Sequence, residues 1–265
     1  MMTFHPFLCS RTYLYLTPTF AFSPLTEIVT EKWRCGPDTI SNVNNVFKNY
    51  LGVHYFHNYT SGKLPLEPSS QRYIMTFEAG APFEKNGLEW SVITVKGQSF
   101  MLHQIRKMIG LAIAVIRGHT SVSTMEEAWG MERIDIPRAP GLGLMLDTVH
   151  FDKYNQKFKG DGMHEGLDWE AQTEAVEKFK EEFIFADIME TEIAEKSMMT
   201  WMAESLPLHS FVGRHFESDE KEASPMRKAF LMANKHAKKK DDTNGDSNTD
   251  PTTENIDSDN VEAEK

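Results

Sequence analysis

Residues 97–110 read GQSFMLHQIRKMIG, and this stretch joins a predicted strand at residues 88–96 to a predicted helix at residues 101–117. The apolar positions of the helix recur every three or four residues and form one stripe: Leu102, Ile105, Ile109, Ala112 and Ile116. A strand that leads directly into an amphipathic helix indicates a sheet with that helix packed on one face.

Arg106 lies beside this stripe, so its guanidinium is expected at the edge of the core. An unpaired buried charge costs roughly 3–5 kcal/mol, so one interpretation gives Arg106 a carboxylate or phosphate partner. In the other interpretation, its aliphatic part covers the helix edge and the guanidinium reaches solvent. Spacing alone favours the second.

The composition indicates one or two globular domains with a core, because 40% of the 265 residues are hydrophobic and 25% are charged. Cys9 and Cys35 give no disulfide framework and too few thiols for a cysteine-based zinc site, which favours a reducing compartment. His54 and His57 lie in an aromatic stretch, where we expect packing rather than metal binding. The longest apolar run, residues 108–116, is shorter than the ~20 residues of a membrane span.

Charge is distributed unevenly along the chain, whose net charge is −11. Residues 1–160 carry 16 Lys and Arg against 13 Asp and Glu, whereas residues 161–265 carry 12 against 26. A mildly basic first part with an acidic second part leaves an anionic ligand open for the first part.

Alternating and helical patterns predict an α/β or α+β domain with a mixed sheet. The predicted strands lie at residues 11–16, 71–77, 88–96 and 144–151, and the predicted helices at 37–50, 101–117 and 122–129. Residues 52–68 form a predicted long loop rich in His, Tyr and Phe. Its aromatic rings could stack on bases, but core packing is the favoured interpretation.

The acidic part predicts two helices, at residues 168–183 and 187–205. Their apolar positions are expected to pack on the rest of the chain: Trp169, Val176, Phe179, Phe183, Ile188 and Trp201. We therefore predict three regions: an α/β domain at 1–160, an acidic helical extension at 161–212 and a disordered charged tail at 213–265.

The tail contains a basic cluster formed by Lys235 and Lys238, Lys239 and Lys240. This cluster predicts a nuclear localisation segment, with a merely solvated tail as an equal alternative. The expected localisation is therefore the nucleus, and the mitochondrion or cytoplasm is the alternative.

Four motifs resemble, in order, those of the TruA family of tRNA pseudouridine synthases, in its eukaryotic branch. They are RTYLYLTPTFAF at residues 11–22, GVHYFHNYTS at 52–61, GQSFMLHQIRKMIG at 97–110 and APGLGLMLDTVHFDKYN at 139–155. The resemblance runs over residues 11–208 and implies a two-lobed enzyme with a central RNA-binding cleft. Any one motif would be a weak signal, but four in order are a strong one.

The resemblance implies isomerisation of uridine to pseudouridine without a cofactor or a metal. The family's tyrosine, which packs against the base, falls on Tyr13, and its arginine, which pairs with a catalytic aspartate, falls on Arg106. The apolar floor of the pocket falls on Leu142 and Leu144. The basic side chains expected to contact phosphate are Arg11, His103 and Lys107.

The chain departs from the family pattern in one respect, because the Arg-Thr-Asp motif that carries the family's catalytic aspartate does not occur in it. We therefore expect the chain to hold the C-terminal lobe and to be inactive alone. Its expected partners are tRNA, with mRNA or other structured RNA as further substrates, and the N-terminal lobe supplied in trans. The alternatives are a non-catalytic RNA-binding or decoy isoform, and a protein-interaction module acting through the acidic helices.

Overall fold

The computed structural model of the chain describes residues 9–215, all within one compact unit. The basic cluster at 235–240 and the acidic residues 241–265 lie outside the described residues, and so does most of the predicted tail. Arg214–His215, placed in the tail by the sequence, instead form a short strand.

A six-stranded sheet forms the centre of the described part. Its strands are β1 (Ser10–Pro18), β2 (Gly52–Tyr55), β3 (Gln71–Ala79), β4 (Phe83–Lys85), β5 (Leu88–Gly97) and β7 (Leu144–His150). A second, two-stranded sheet pairs β6 (Glu132–Arg133) with β8 (Arg214–His215).

The strand order is β2-β3-β5-β1-β7, and β4 pairs with β5 off this path. Every pairing between these strands is antiparallel, so the α+β class is confirmed, but the sheet is not mixed in its hydrogen bonding. β5 and β7 point the same way, and the chain between them forms the helical crossover that two strands of the same direction need. β1 lies between them, and for this reason no parallel pair forms.

The helix of the opening motif, α2 (Gln104–Arg117), begins three residues later than predicted. Ile105, Ile109 and Ala112 are buried as expected. Leu102, which the stripe included, is 70% exposed, because it precedes the helix and does not follow the helical spacing.

The helix α1 (Thr39–Phe47) contacts β3 and α2, and a 3₁₀ turn at Lys48–Tyr50 extends it to the predicted end. The predicted loop after it contains β2 and a 3₁₀ turn. Phe56 and Tyr59 in this segment are fully buried, so core packing is confirmed for them and base stacking is not available. His54 stacks on the ring of Trp129 at 3.9 Å between centroids.

The remaining helices of the first part are α3 (Ser123–Glu127) and α4 (Asp152–Phe158). The acidic region then forms α5 (Thr173–Phe179), a π-helical stretch at Lys180–Phe185 and α6 (Ala186–Glu195) without interruption. The predicted break between residues 183 and 187 is therefore wrong.

The break falls instead at Lys196, whose φ is 54°, before α7 (Ser197–Thr200) and a second π-helical stretch at Trp201–Ser205. Glu192 fixes this break, because its carboxylate accepts hydrogen bonds from the Ser197 hydroxyl and the Met198 backbone N–H. Residues 186–205 contain no Gly or Pro, so no local sequence signal predicts this break.

Two of the predicted packing residues in these helices, Ile188 and Trp201, are buried. The other four are between 46% and 59% exposed: Trp169, Val176, Phe179 and Phe183. Trp169 and Val176 still contact β7, since they line a groove with residues 146–149 and Trp169 Nε1 donates to Val149 O at 3.0 Å. The prediction is therefore wrong for Phe179 and Phe183. The buried side of the chain at this point carries Lys180, whose ammonium lies 2.8 Å from Asp147 Oδ1 on β7. A charge pair therefore takes the position that the apolar residues were expected to occupy.

Over residues 9–215, no helix is long and apolar enough to cross a membrane. The same residues hold no group of three or more His, Cys, Asp or Glu that could bind a metal ion. No disulfide joins Cys9 and Cys35.

Candidate active site and nucleic-acid interface

Two tyrosines of β1 project from the same face of the sheet, because they are two residues apart on one strand. Tyr13 is half-buried and meets the ring of Phe100 edge-on, with 5.4 Å between centroids. Tyr15 is only 1% exposed, its hydroxyl donates to the Pro140 carbonyl at 2.9 Å, and burial raises its pKa far above the usual range. Tyr13 is therefore the tyrosine that a ligand can reach, and Tyr15 supports the residue 140 backbone.

Arg106 is held by a backbone carbonyl, since its Nε donates to Ala139 O at 2.7 Å. The guanidinium lies against Gly141, where a Cβ atom would meet it at 3.3 Å. Burial and the neighbouring Arg138 lower the pKa of Arg106, partly opposed by Tyr15. Across residues 9–215, no carboxylate forms an ion pair with Arg106, so one side of this guanidinium is available for an acidic partner.

Residues 137–143, the floor segment, lead into β7 and lie directly against β1. Leu16 N donates to Gly143 O at 2.9 Å, and a Cβ on Gly143 would lie 2.0 Å from Leu16 O. Only glycine permits this approach, so Gly143 fixes the position of Leu142 and Leu144 on either side of it. Both leucines are half-buried and pack against the core.

The three predicted phosphate contacts have different surroundings. Arg11 is half-exposed and pairs with Gly97 across β1 and β5. The ammonium of Lys107 donates to Asn58 O at 3.0 Å, and burial lowers its pKa. His103 adopts a left-handed backbone conformation, with φ 64°, immediately before α2.

Sequence reasoning missed two residues of this region. Phe100 supplies the ring beside Tyr13. Arg138 approaches His103, with Nη1 3.0 Å from the imidazole Nε2. Both lie in or next to the quoted motifs, so position along the sequence was the only signal for them.

The arrangement offers a half-exposed aromatic ring, an apolar floor and a guanidinium with free donors. These groups can receive a planar uncharged base on the floor and a negatively charged group beside Arg106.

The model of the family described as tRNA pseudouridine synthase matches residues 46–152. This match includes the motif at 97–110 and the floor segment, which the structure places around one guanidinium. The chain belongs to the tRNA pseudouridine synthase family. Of the predicted site residues, Tyr13 and Arg11 precede the matched range, and the others lie within it.

Named relatives support this membership. The chain is 49% identical over 205 residues to the pseudouridylate synthase 1 homolog of Mus musculus, covering 77% of this chain and 48% of the mouse protein. The human protein of the same name is 49% identical over 203 residues, covering 76% and 47%. The tRNA pseudouridine synthase 1 of Yarrowia lipolytica is 36% identical over 159 residues, covering 60% and 30%.

The chain thus spans about half the length of the mouse and human relatives that it matches.

Proposed function

We propose that this chain supplies the tyrosine, arginine and apolar floor of a tRNA pseudouridine synthase. The reaction is an isomerisation: the bond between uracil N1 and the ribose breaks, and uracil C5 then bonds to the same ribose carbon. The proposal rests on Arg106, which is fixed by Ala139 O against Gly141 with no described carboxylate beside it.

Each residue has a role that follows from its surroundings. Tyr13 packs against the flipped uracil, since its ring is half-exposed and backed by Phe100. Leu142 and Leu144 support the base from below. Arg106 orients a catalytic carboxylate through charge-assisted hydrogen bonds. That carboxylate comes from a part of the enzyme that the present sequence does not include, so the chain alone is inactive.

The substrate is tRNA, and other structured RNA, including mRNA, is a further substrate. Extruding a base from a helix costs a few kcal/mol, which contacts in the pocket must return. Basic side chains beside an aromatic ring and an apolar floor provide such contacts.

The test combines the chain with the N-terminal half of the mouse relative, produced as a separate fragment. The chain alone should leave unmodified tRNA unchanged when pseudouridine is mapped chemically. The combination should form pseudouridine, and Tyr13→Ala, which removes the ring, or Arg106→Lys should lower its rate about 100-fold or more. Arg34→Lys is the matched control, because Arg34 pairs with Glu84.

Modification by the chain alone would refute the requirement for an outside carboxylate. Full activity of the Arg106→Lys combination would refute the role of the guanidinium.

A second candidate function is RNA binding without catalysis. It is favoured by the concentration of Arg106, Arg138, His103 and Lys107 at one end of α2 without an acidic residue in the first turn of that helix. Binding that falls with salt and is insensitive to Tyr13→Ala, together with an inactive combination, would favour this candidate.

A further inference from the structure

Four basic side chains meet at the start of α2. His103, Arg106 and Lys107 come from the α2 region, and Arg138 reaches them from the floor segment. Arg138 Nη1 donates to His103 Nε2 at 3.0 Å. Because an arginine can only donate, Nε2 is the acceptor and carries no proton in the structure. This hydrogen bond cannot persist once His103 is protonated, because Nε2 then carries a proton and the two positive charges repel each other.

No carboxylate of the described residues pairs with Arg138 or Arg106. The nearest acidic influence on the cluster is Asp135, which acts on Lys107 and already pairs with His209 at 2.9 Å. The cluster therefore lacks an anion of its own, and Arg138 is exposed to solvent.

We propose that Arg138 and His103 form a binding site for one phosphate of the RNA backbone, and that His103 takes up a proton from solvent when the phosphate binds. This inference rests on the proposed function, and it adds Arg138 as a residue that positions the RNA. In the free protein Arg138 and His103 bond to each other. In the complex, both turn their N–H groups to the phosphate oxygens.

The electrostatics of His103 support the proton uptake. Burial lowers the pKa of His103, and the charges of Arg138 on the floor segment and of Arg106 and Lys107 on α2 lower it further. A phosphate at this point adds a negative charge, which favours the imidazolium and raises the pKa. Binding should therefore strengthen as the pH falls.

Arg138 suits this role better than Lys107. The Lys107 ammonium is already committed to Asn58 O. Arg138 is exposed, and its planar guanidinium presents donors in a fork that matches two phosphate oxygens.

The first test follows the His103 imidazole by NMR in the full chain while the pH is varied. The probe is the dinucleotide UpU, whose single phosphodiester stays monoanionic, and uridine is the uncharged control. The pKa of His103 should rise with UpU and stay unchanged with uridine. An unchanged pKa with saturating UpU would overturn the site.

The second test measures binding of unmodified tRNA against salt and pH. Arg138→Gln should reduce the slope of log affinity against log salt by about 1, as expected for one lost phosphate contact. The wild-type affinity should rise about three- to tenfold from pH 7.5 to pH 6, and His103→Gln should abolish this rise. Arg34→Gln controls for the loss of one positive charge.

The two tests distinguish a failure of the phosphate site from a failure of the proposed function. If tRNA binds neither to the wild-type chain nor to its combination with the N-terminal half, but UpU shifts the pKa of His103, the proposed function fails and the phosphate site stands as an anion site. If tRNA binds with the same salt slope and pH dependence in Arg138→Gln and His103→Gln, the phosphate site is wrong and the proposed function survives. Circular dichroism melting of each variant confirms that it is folded.

Discussion

Two glycines determine the geometry of the site at the scale of single residues. A Cβ on Gly143 would lie 2.0 Å from Leu16 O, and a Cβ on Gly110 would lie 2.2 Å from Pro137 O. Both contacts are to backbone, which cannot move aside as a flexible side chain can. They bring the floor segment against β1 on one side and against α2 on the other, and Arg106 bonds to this segment.

His57 supports a prediction about pH at the same scale. It is 2% exposed, and burial lowers its pKa to about 4, against weaker opposing effects of the backbone of Glu132 and Gly130. The unfolded chain takes up this proton near pH 6.5 and the folded chain only near pH 4. The contribution of neutral His57 to the free energy of unfolding is therefore fully present above pH 6.5 and is lost as the pH falls towards 4.

The measurement is urea unfolding at pH 7 and pH 5. The wild type should lose more free energy of unfolding between these values than His57→Gln does. His164→Gln, at an exposed histidine, should behave like the wild type. Equal losses in the wild type and His57→Gln would show that His57 does not carry this dependence.

At the scale of elements, the run from α5 to α6 shows how a charge pair can determine which side of a helix is buried. Lys180 is buried with Asp147 and also bonds to Glu177, and these bonds outweigh burial and raise its pKa. With Lys180 inward, Phe179 and Phe183 are more than half exposed. Ile188, further along, is 6% exposed and belongs to the core.

We therefore expect Phe179→Gln and Phe183→Gln to change the free energy of unfolding by less than about 0.5 kcal/mol. Ile188→Ala should cost about 2–4 kcal/mol, since it leaves a cavity in a buried cluster. Denaturant unfolding of the three variants provides the comparison. A cost for the two phenylalanine variants equal to that of Ile188→Ala would mean that these rings are buried in solution.

At the scale of the whole molecule, the sheet order places β1 in the interior, with bonded neighbours on both sides, and leaves β2 and β7 at the edges. Tyr13 therefore lies on a strand that is fixed along its length by β5 and β7. The floor segment immediately precedes β7. A rigid central strand and a short segment beside it suit the positioning of a base.

Removal of residues 234–265 should leave the melting temperature of the remaining chain unchanged. The deleted segment contains only two large apolar residues, Ile256 and Val261. It therefore cannot bury enough apolar surface to offset the conformational entropy that ordering would cost. Differential scanning calorimetry of the full and shortened chains measures the effect. A drop of several degrees would contradict the prediction, and nuclear import is assayed separately because the deletion removes Lys235 and Lys238.

The sequence by itself determined β1, β3, β5 and β7, the central helix and the family, because periodicity and the four motifs are local properties of the chain. It did not predict β2, β4, β6 or β8. It also favoured core packing for the aromatic residues of the segment 52–68, and Phe56 and Tyr59 are buried there. Motif order placed Tyr13 and Arg106 as candidates before any contact was known.

Only the tertiary structure decided which partner each side chain meets. It joined Arg106 to Ala139 O, turned Lys180 inward and placed Arg138 beside His103, and these contacts connect residues 33 to 35 positions apart. The positions of helix breaks also depended on such contacts, as at Lys196, where Glu192 caps the next helix. Periodicity reports which face of an element is apolar, whereas pairing between distant charges depends on how the elements pack.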